Sequence, residues 1–133
     1  MKRLNKLGVG TDIENIDRFE DLPTDDDNRF LSRIFTNNEL RYCFSKAYVA
    51  PHLAVRFAAK EAVVKALYAL GKKNVDYKKV EITLNENRVP QVTLNDDFLG
   101  DVDVQISLSH CDDKAVAFAI ALNGDIMGLD CLY

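Results

Sequence analysis

The chain has 133 residues, 47% of them hydrophobic and 29% charged, which suits one compact domain with a real core and leaves no length for a second. No apolar run approaches the roughly 20 residues of a bilayer-spanning helix, and no signal-peptide pattern follows the basic start, so a cytoplasmic protein with no membrane partner is expected. The net charge of −4 is uneven: segments 1–28, 29–79 and 80–133 carry −4, +8 and −8, which favours an anionic ligand of limited size and disfavours nucleic acid.

Residues 7–13 read as a short strand ending at Asp12, and Ile13, Ile16 and Phe19 then follow at helical spacing. Pro23 and Asp25-Asp26-Asp27 interrupt that pattern, and 28–35 resumes it. Thr36 and Glu39 have capping-box spacing, opening a helix over 37–46. Pro51 suits a helix start, and the strongest helix runs over 52–70, stopping at Gly71. Its apolar face runs through Leu53, Phe57, Val64, Leu67 and Tyr68. Beyond it the period becomes alternating. Strands are expected at 80–84, 89–94, 102–109 and 115–122, with a turn at 123–125 and a last strand over 126–132. Helices first and antiparallel strands afterwards give an α+β fold. Cys43, Cys111 and Cys131 are odd in number and widely spaced, as expected of reduced thiols rather than disulfides or a zinc site.

Three places carry candidate chemistry. Glu61 and Lys65 lie one turn apart on the long helix, either as an ordinary surface pair or as part of a site. Asp12, in a glycine-containing turn, is either a helix N-cap or a second carboxylate. Asp12 and Glu61 together would offer Mg²⁺ two hard oxygen ligands, with Lys65 near a substrate phosphate. Ser107, Ser109 and His110 close a strand; adjacent Ser109 and His110 point to opposite faces, which excludes them as a nucleophile–base pair. His110 is then a candidate for lining a cleft that the backbone of Ser107 and Ser109 helps to shape.

Taken together, Gly8-Val9-Gly10-Thr11-Asp12-Ile13, Arg33-Ile34-Phe35-Thr36, Glu39-Leu40, Arg56-Phe57-Ala58-Ala59-Lys60-Glu61-Ala62 and Ser107-Leu108-Ser109-His110 resemble the holo-acyl-carrier-protein synthase family of phosphopantetheinyl transferases. The resemblance implies transfer of phosphopantetheine from coenzyme A to a serine of an acyl carrier protein, releasing adenosine 3′,5′-bisphosphate. It implies Mg²⁺ on Asp12 and Glu61, and Lys65 near the pyrophosphate. Ser109 and His110 would line the coenzyme pocket, and Lys46 and Arg56 would meet the adenosine phosphates. A metal-bound water, or a carboxylate acting through it, would be the base. The family also implies a homotrimer with active sites at subunit boundaries, placing Asp12 and Glu61 on different chains. Arg18, Arg29 and Arg33 would form the carrier-docking face. The acidic run from Glu20 to Asp27 departs from the family's basic docking helix, so a carrier with a less acidic or differently placed face is expected. Gly71-Lys72-Lys73-Asn74 and Asn87-Arg88-Val89-Pro90 also depart, in loops where glycine is common. Two other readings are a coenzyme A-binding homologue without transferase activity and an oligomeric scaffold, which coenzyme A and Mg²⁺ would not stabilise thermally.

Overall fold

A computed structural model describes residues 6–22 and 29–124; the acidic run at 25–27, the strand expected over 126–132 and Cys131 lie outside them. In β1 (Leu7–Asn15) the alternation of a strand sends Gly8 and Gly10 to one face and Leu7, Val9 and Ile13 to the other. The glycines are required by contact. A Cβ on Gly8 or Gly10 would lie 2.0 Å from the carbonyl oxygen of Ala66 or Ala62, so the strand rests directly on the backbone of α3 (Val49–Ala69).

That helix is the centre of the molecule. Leu53, Ala54, Phe57, Ala58, Ala59, Ala62, Val63, Ala66 and Leu67 are all buried, so it is apolar on most of its circumference, as an enclosed helix must be. β4 (Val102–His110) and β5 (Lys114–Asn123) complete an antiparallel sheet of order β1-β5-β4. Its inner face carries Ala115, Ala117, Ala119 and Ala121, small enough for close approach to the helix. The hairpin of β2 (Val80–Leu84) and β3 (Pro90–Leu94) adds Val80 and Ile82 to the same core. Two short helices, α1 (Arg29–Ile34) and α2 (Asn37–Phe44), cover a second cluster built on Phe19, Phe35, Cys43, Leu53 and Phe57. The α+β class is as expected, and no helix among the described residues is long and apolar enough to cross a membrane.

Four local expectations are corrected. β1 does not stop at Asp12: its register with β5 continues to Asn15↔Lys114, and only the 3₁₀ turn Ile16–Phe19 remains of the expected helix. Long-range pairing has overridden a helical spacing of three residues, and Asp12 is a mid-strand residue rather than a cap. α2 ends at Phe44, two residues early. α3 starts at Val49, so Pro51 sits inside its first turn, where a missing N–H costs nothing. Tyr68 is 62% exposed and does not belong to the apolar face. The unusual loops keep glycine-like geometry without always using glycine, since Gly71, Asn74 and Arg88 all have positive φ, at 87°, 58° and 62°.

Candidate active site

The alternation that presses Gly8 and Gly10 onto α3 brings Asp12 and Glu14 along the same side. They meet the helix where Glu61 and Lys65 emerge. Lys65 Nζ lies 3.3 Å from Asp12 Oδ1 and donates to the Thr11 carbonyl at 2.9 Å. Tyr77 joins from the turn before β2. Its phenol pKa is raised by burial, then by a hydrogen bond to Glu61 and by the charges of Glu61, Asp12 and Glu14. Within one chain, then, Asp12 and Glu61 both lie close enough to act on Tyr77. The physical reason is the glycine contact, which seats β1 against the same helix that carries Glu61.

This cluster has more negative charge than the chain neutralises. Glu14 is paired with Arg18 at 3.0 Å, yet its pKa is pushed up to about 7 by burial, then by the hydrogen bond and charge of Asp12, against the pull of Arg18. Two carboxylates can share that hydrogen bond only through a retained proton. With both ionised, Asp12 Oδ2 is buried without a partner. An orphaned carboxylate oxygen beside further carboxylates is a fit for a hard cation. Among the described residues no three His, Cys, Asp or Glu side chains form a metal cage. The orphaned Asp12 oxygen, with Glu61 nearby, would suit a cation such as Mg²⁺ that takes one or two carboxylates and completes its shell with water and substrate oxygens.

The raised Glu14 value has a sign. The folded state holds this proton more tightly than the unfolded chain, so the resulting stability is fully present below the ordinary value of 4.5 and lost as pH rises through about 7. Metal-free protein should lose stability between about pH 5 and about pH 8, and Glu14→Gln should flatten that slope. Chemical denaturation at the two pH values checks it; an unchanged slope in the variant would remove Glu14 as the cause.

A second, cationic cluster lies on another side of α3. The Arg56 guanidinium sits 4.2 Å over the Tyr42 ring and Lys46 Nζ 4.6 Å from the same centroid, while His52 meets the ring edge-on at 5.8 Å. Arg56 is only 4% exposed; its Nη1 donates to the His52 carbonyl at 3.3 Å, and its Nε has no partner. It lines a cavity of about 230 Å³ with Tyr42, Ile82 and Leu84. Burial, and then the charges of Arg56, Lys46 and His110, push the His52 pKa down. Burial would raise the Tyr42 phenol, but Arg56 and Lys46 outweigh it and its pKa falls.

Asp12, Glu61 and Lys65 thus converge in one place, and Lys46, Arg56 and His110 in another. Ser107 and Ser109 are exposed on β4, which His110 ends. Arg18 is not a free surface charge: besides Glu14, it stacks on Phe19, Phe30 and Phe57 at 5.7, 5.4 and 5.0 Å. Arg29 and Arg33 are exposed on α1. Sequence reasoning missed Glu14, Tyr42, His52 and Tyr77. Period-2 spacing from Asp12 would have found Glu14, and the i,i+4 pairs Tyr42–Lys46 and His52–Arg56 were visible signals. A further cavity of about 400 Å³ is lined by Phe19, Leu31, Phe44 and Tyr48.

A family model described as the 4′-phosphopantetheinyl transferase superfamily matches residues 8–121. The holo-[acyl-carrier-protein] synthase of Chlamydia muridarum is 44% identical over 118 residues, covering 86% of this chain and 94% of that protein. That of Aquifex aeolicus is 39% identical over 115 residues, covering 84% and 94%. The Helicobacter pylori holo-[acyl-carrier-protein] synthase, solved in complex with coenzyme A, superposes with a TM-score of 0.71 at 28% identity, covering 85% of this chain and 98% of that one. The chain therefore belongs to the 4′-phosphopantetheinyl transferase superfamily, among enzymes of the holo-[acyl-carrier-protein] synthase type. The resemblance carried by the Gly-x-Asp-Ile, Phe-Ala-Ala-Lys-Glu-Ala and Ser-His segments is borne out, and the α+β architecture is that of the family.

Proposed function

We propose that this chain, as one domain, transfers the 4′-phosphopantetheine arm of coenzyme A to a serine of an apo acyl carrier protein, with Mg²⁺, releasing adenosine 3′,5′-bisphosphate. The observation that carries the reading is the buried, unpartnered Asp12 oxygen in an acidic cluster shared with Glu61 and bordered by Lys65. In the reaction the serine oxygen bonds to the β-phosphorus while the bond from that phosphorus to the bridging oxygen breaks. The serine proton passes to a base, and adenosine bisphosphate leaves with the electron pair. Mg²⁺, held by Asp12 and Glu61, would supply positive charge to the diphosphate. Lys65, half-exposed at 53%, presents its ammonium beside the same carboxylate, where it can offset charge on the leaving oxygen. Tyr77 orients Glu61, and Arg18 restrains Glu14. Lys46, Arg56, Ser109 and His110 bind the nucleotide end. With Arg18 committed to Glu14 and three rings, Arg29 and Arg33 are the freer docking charges, and exposed Glu20 and Asp21 favour a carrier with a less acidic face. Free thiols at Cys43 and Cys111 support a cytoplasmic location. Mass spectrometry of apo carriers incubated with coenzyme A and Mg²⁺ tests the reading. A gain of one phosphopantetheine arm, abolished by chelator, is expected; coenzyme A binding without any modified carrier would reduce the chain to a binding homologue.

The homotrimer belongs to the same proposal. The outer sheet face exposes Leu7 at 54%, Val9 at 52%, Ile13 at 60% and Phe118 at 42%, with Phe118 opposite Thr11 between the last two β1 positions. A contiguous apolar sheet face of this kind calls for a protein cover. Val9, Gly10, Thr11, Phe118 and Lys65 also line one open cavity of about 510 Å³, which links this face to the reactive cluster. Light scattering should give three chain masses, and Ile13→Glu with Phe118→Glu should give one chain mass and lost activity. A monomeric wild type with full activity would end this part of the reading.

A further inference from the structure

Phe98 is 94% exposed, the most of any large hydrophobic residue among those described, yet its backbone is firmly held. Asp96 Oδ1 accepts from the Phe98 amide at 3.0 Å, and Leu99 beside it is buried in the core. The 3₁₀ turn Asp97–Leu99 therefore presents the ring outward. Phe98 stands at a cavity of about 360 Å³ whose other wall is the loop that ends α3. There the Lys72 amide donates to the Leu67 carbonyl and the Gly71 amide to that of Tyr68, each at 2.9 Å, which fixes the loop against the helix end. Lys73 Nζ lies 5.9 Å from the centroid of the exposed Tyr68 ring. None of the ion pairs among the described residues involves Lys72 or Lys73. The cavity thus has an aromatic rim on one side and unneutralised cations on the other.

β5 delivers the chain to the same end of the molecule. Its last residue, Asn123, pairs with Val102, and the Gly124 amide donates to the Asp101 carbonyl at 2.6 Å. A Cβ on Gly124 would lie 2.3 Å from Asp101 Oδ2, so the backbone passes pressed against Asp101. Asp101 is three residues from Phe98, a span of at most about 11 Å, whereas nine residues reach up to about 30 Å. Those that follow Gly124 are Asp125-Ile126-Met127-Gly128-Leu129-Asp130-Cys131-Leu132-Tyr133. They combine five large apolar side chains with two carboxylates and have no lysine or arginine, the complement of a cavity with an aromatic rim and two lysines.

We propose that residues 126–133 of the same chain fold back over Phe98 and occupy this cavity. Their apolar side chains cover the ring, and Asp130 meets Lys72 and Lys73. The segment then acts as a strap that ties the end of α3 to the start of β4. The exit at Asp101 and the two lysines favour this occupant over a second copy of the chain, which would have to bring a matching acidic, apolar segment from further away. The strap lies apart from the residues assigned to phosphopantetheine transfer and rests on no part of that reading.

The chain has no tryptophan, so Phe98→Trp places a single fluorescent reporter at the site. In the full chain its emission should be that of a shielded indole, protected from acrylamide. Truncation after Gly124 should shift the emission to the red and remove the protection, and so should Lys72→Glu with Lys73→Glu. Thermal unfolding of wild type, Phe98→Ser, the truncated chain and the combination completes the test. Each single change should lower the midpoint by about 5 °C, and the two together by little more than one alone. If the truncated chain does not fold, Leu129→Ser with Leu132→Ser replaces it in both measurements. A solvent-exposed indole in the full chain, an indole that responds to neither change, or additive losses in the midpoint overturns the proposal. Protection that disappears on dilution as the particle mass falls also overturns it, because a neighbouring copy would then be covering Phe98.

Discussion

Asp12→Asn should cut carrier modification about a thousandfold, roughly 4 kcal/mol of transition-state stabilisation, while leaving the metal-free protein no less stable. The two halves have opposite physical causes. Asp12 forfeits one ion pair when neutralised, to a lysine that is 53% exposed, and such pairs are worth about 0–1 kcal/mol. Against that loss, the substitution removes the charge that helps push Glu14 up to about 7. Stability should therefore hold or rise at pH 8 even as transfer collapses. Activity falls because a buried oxygen without a protein partner becomes part of a neutral amide that binds a cation poorly. Thermal melts with and without Mg²⁺ separate the causes: wild type should be shifted upward by the ion and the variant should not. A variant that loses activity and stability together would make Asp12 a structural residue.

The contrast between what the sequence showed and what it hid follows from range. Local signals held: the capping box is present, with Thr36 Oγ1 accepting from the Glu39 amide at 3.2 Å and Glu39 Oε1 accepting from the Thr36 amide at 2.8 Å. Hairpins and the alanine-rich helix were likewise readable from alternation and propensity. The end of β1 was not, because strand pairing to residue 114 is a contact across most of the chain. Misplacing that end hid Glu14, which a helix would have turned away from Asp12. Spacing and chemistry nominated Asp12, Glu61 and Lys65, and the family resemblance gave them roles, but neither gave a reason for their meeting; Gly8 and Gly10 do, by excluding any Cβ between strand and helix. At Tyr42 the partner one turn on, Lys46, had a local signature, but Arg56, which reaches the same ring from another helix, had none.

Lys60 illustrates how two adjacent residues of one motif divide the work, and its removal should be the costliest single change to stability. Its neighbour Glu61 belongs to the reactive cluster, but about 100° of helical rotation turns Lys60 into the core. There Lys60 Nζ lies 2.8 Å from Glu39 Oε1, with both side chains fully buried, and donates to the carbonyls of Tyr77 and Val80. Glu39 also accepts from the Ile82 amide at 2.7 Å, so one carboxylate ties α2, α3 and β2 together. Burial lowers the Lys60 pKa, with Glu39 opposing the shift, which marks a charge tolerated only because its partner is present. Lys60→Met should leave Glu39 buried and unpaired, at a cost of about 3–5 kcal/mol. The double variant Lys60→Met with Glu39→Leu should cost less than the sum of the single changes, since neither charge is then stranded. Urea unfolding of the four proteins gives the coupling directly, and a Lys60→Met loss below about 1 kcal/mol would contradict it. The effect should reach the chemistry as well. Lys60 fixes the backbone of Tyr77, whose hydroxyl holds Glu61, so transfer by the fraction of Lys60→Met that still folds should also be slowed. The core pair and the reactive carboxylates are thereby joined through a single tyrosine.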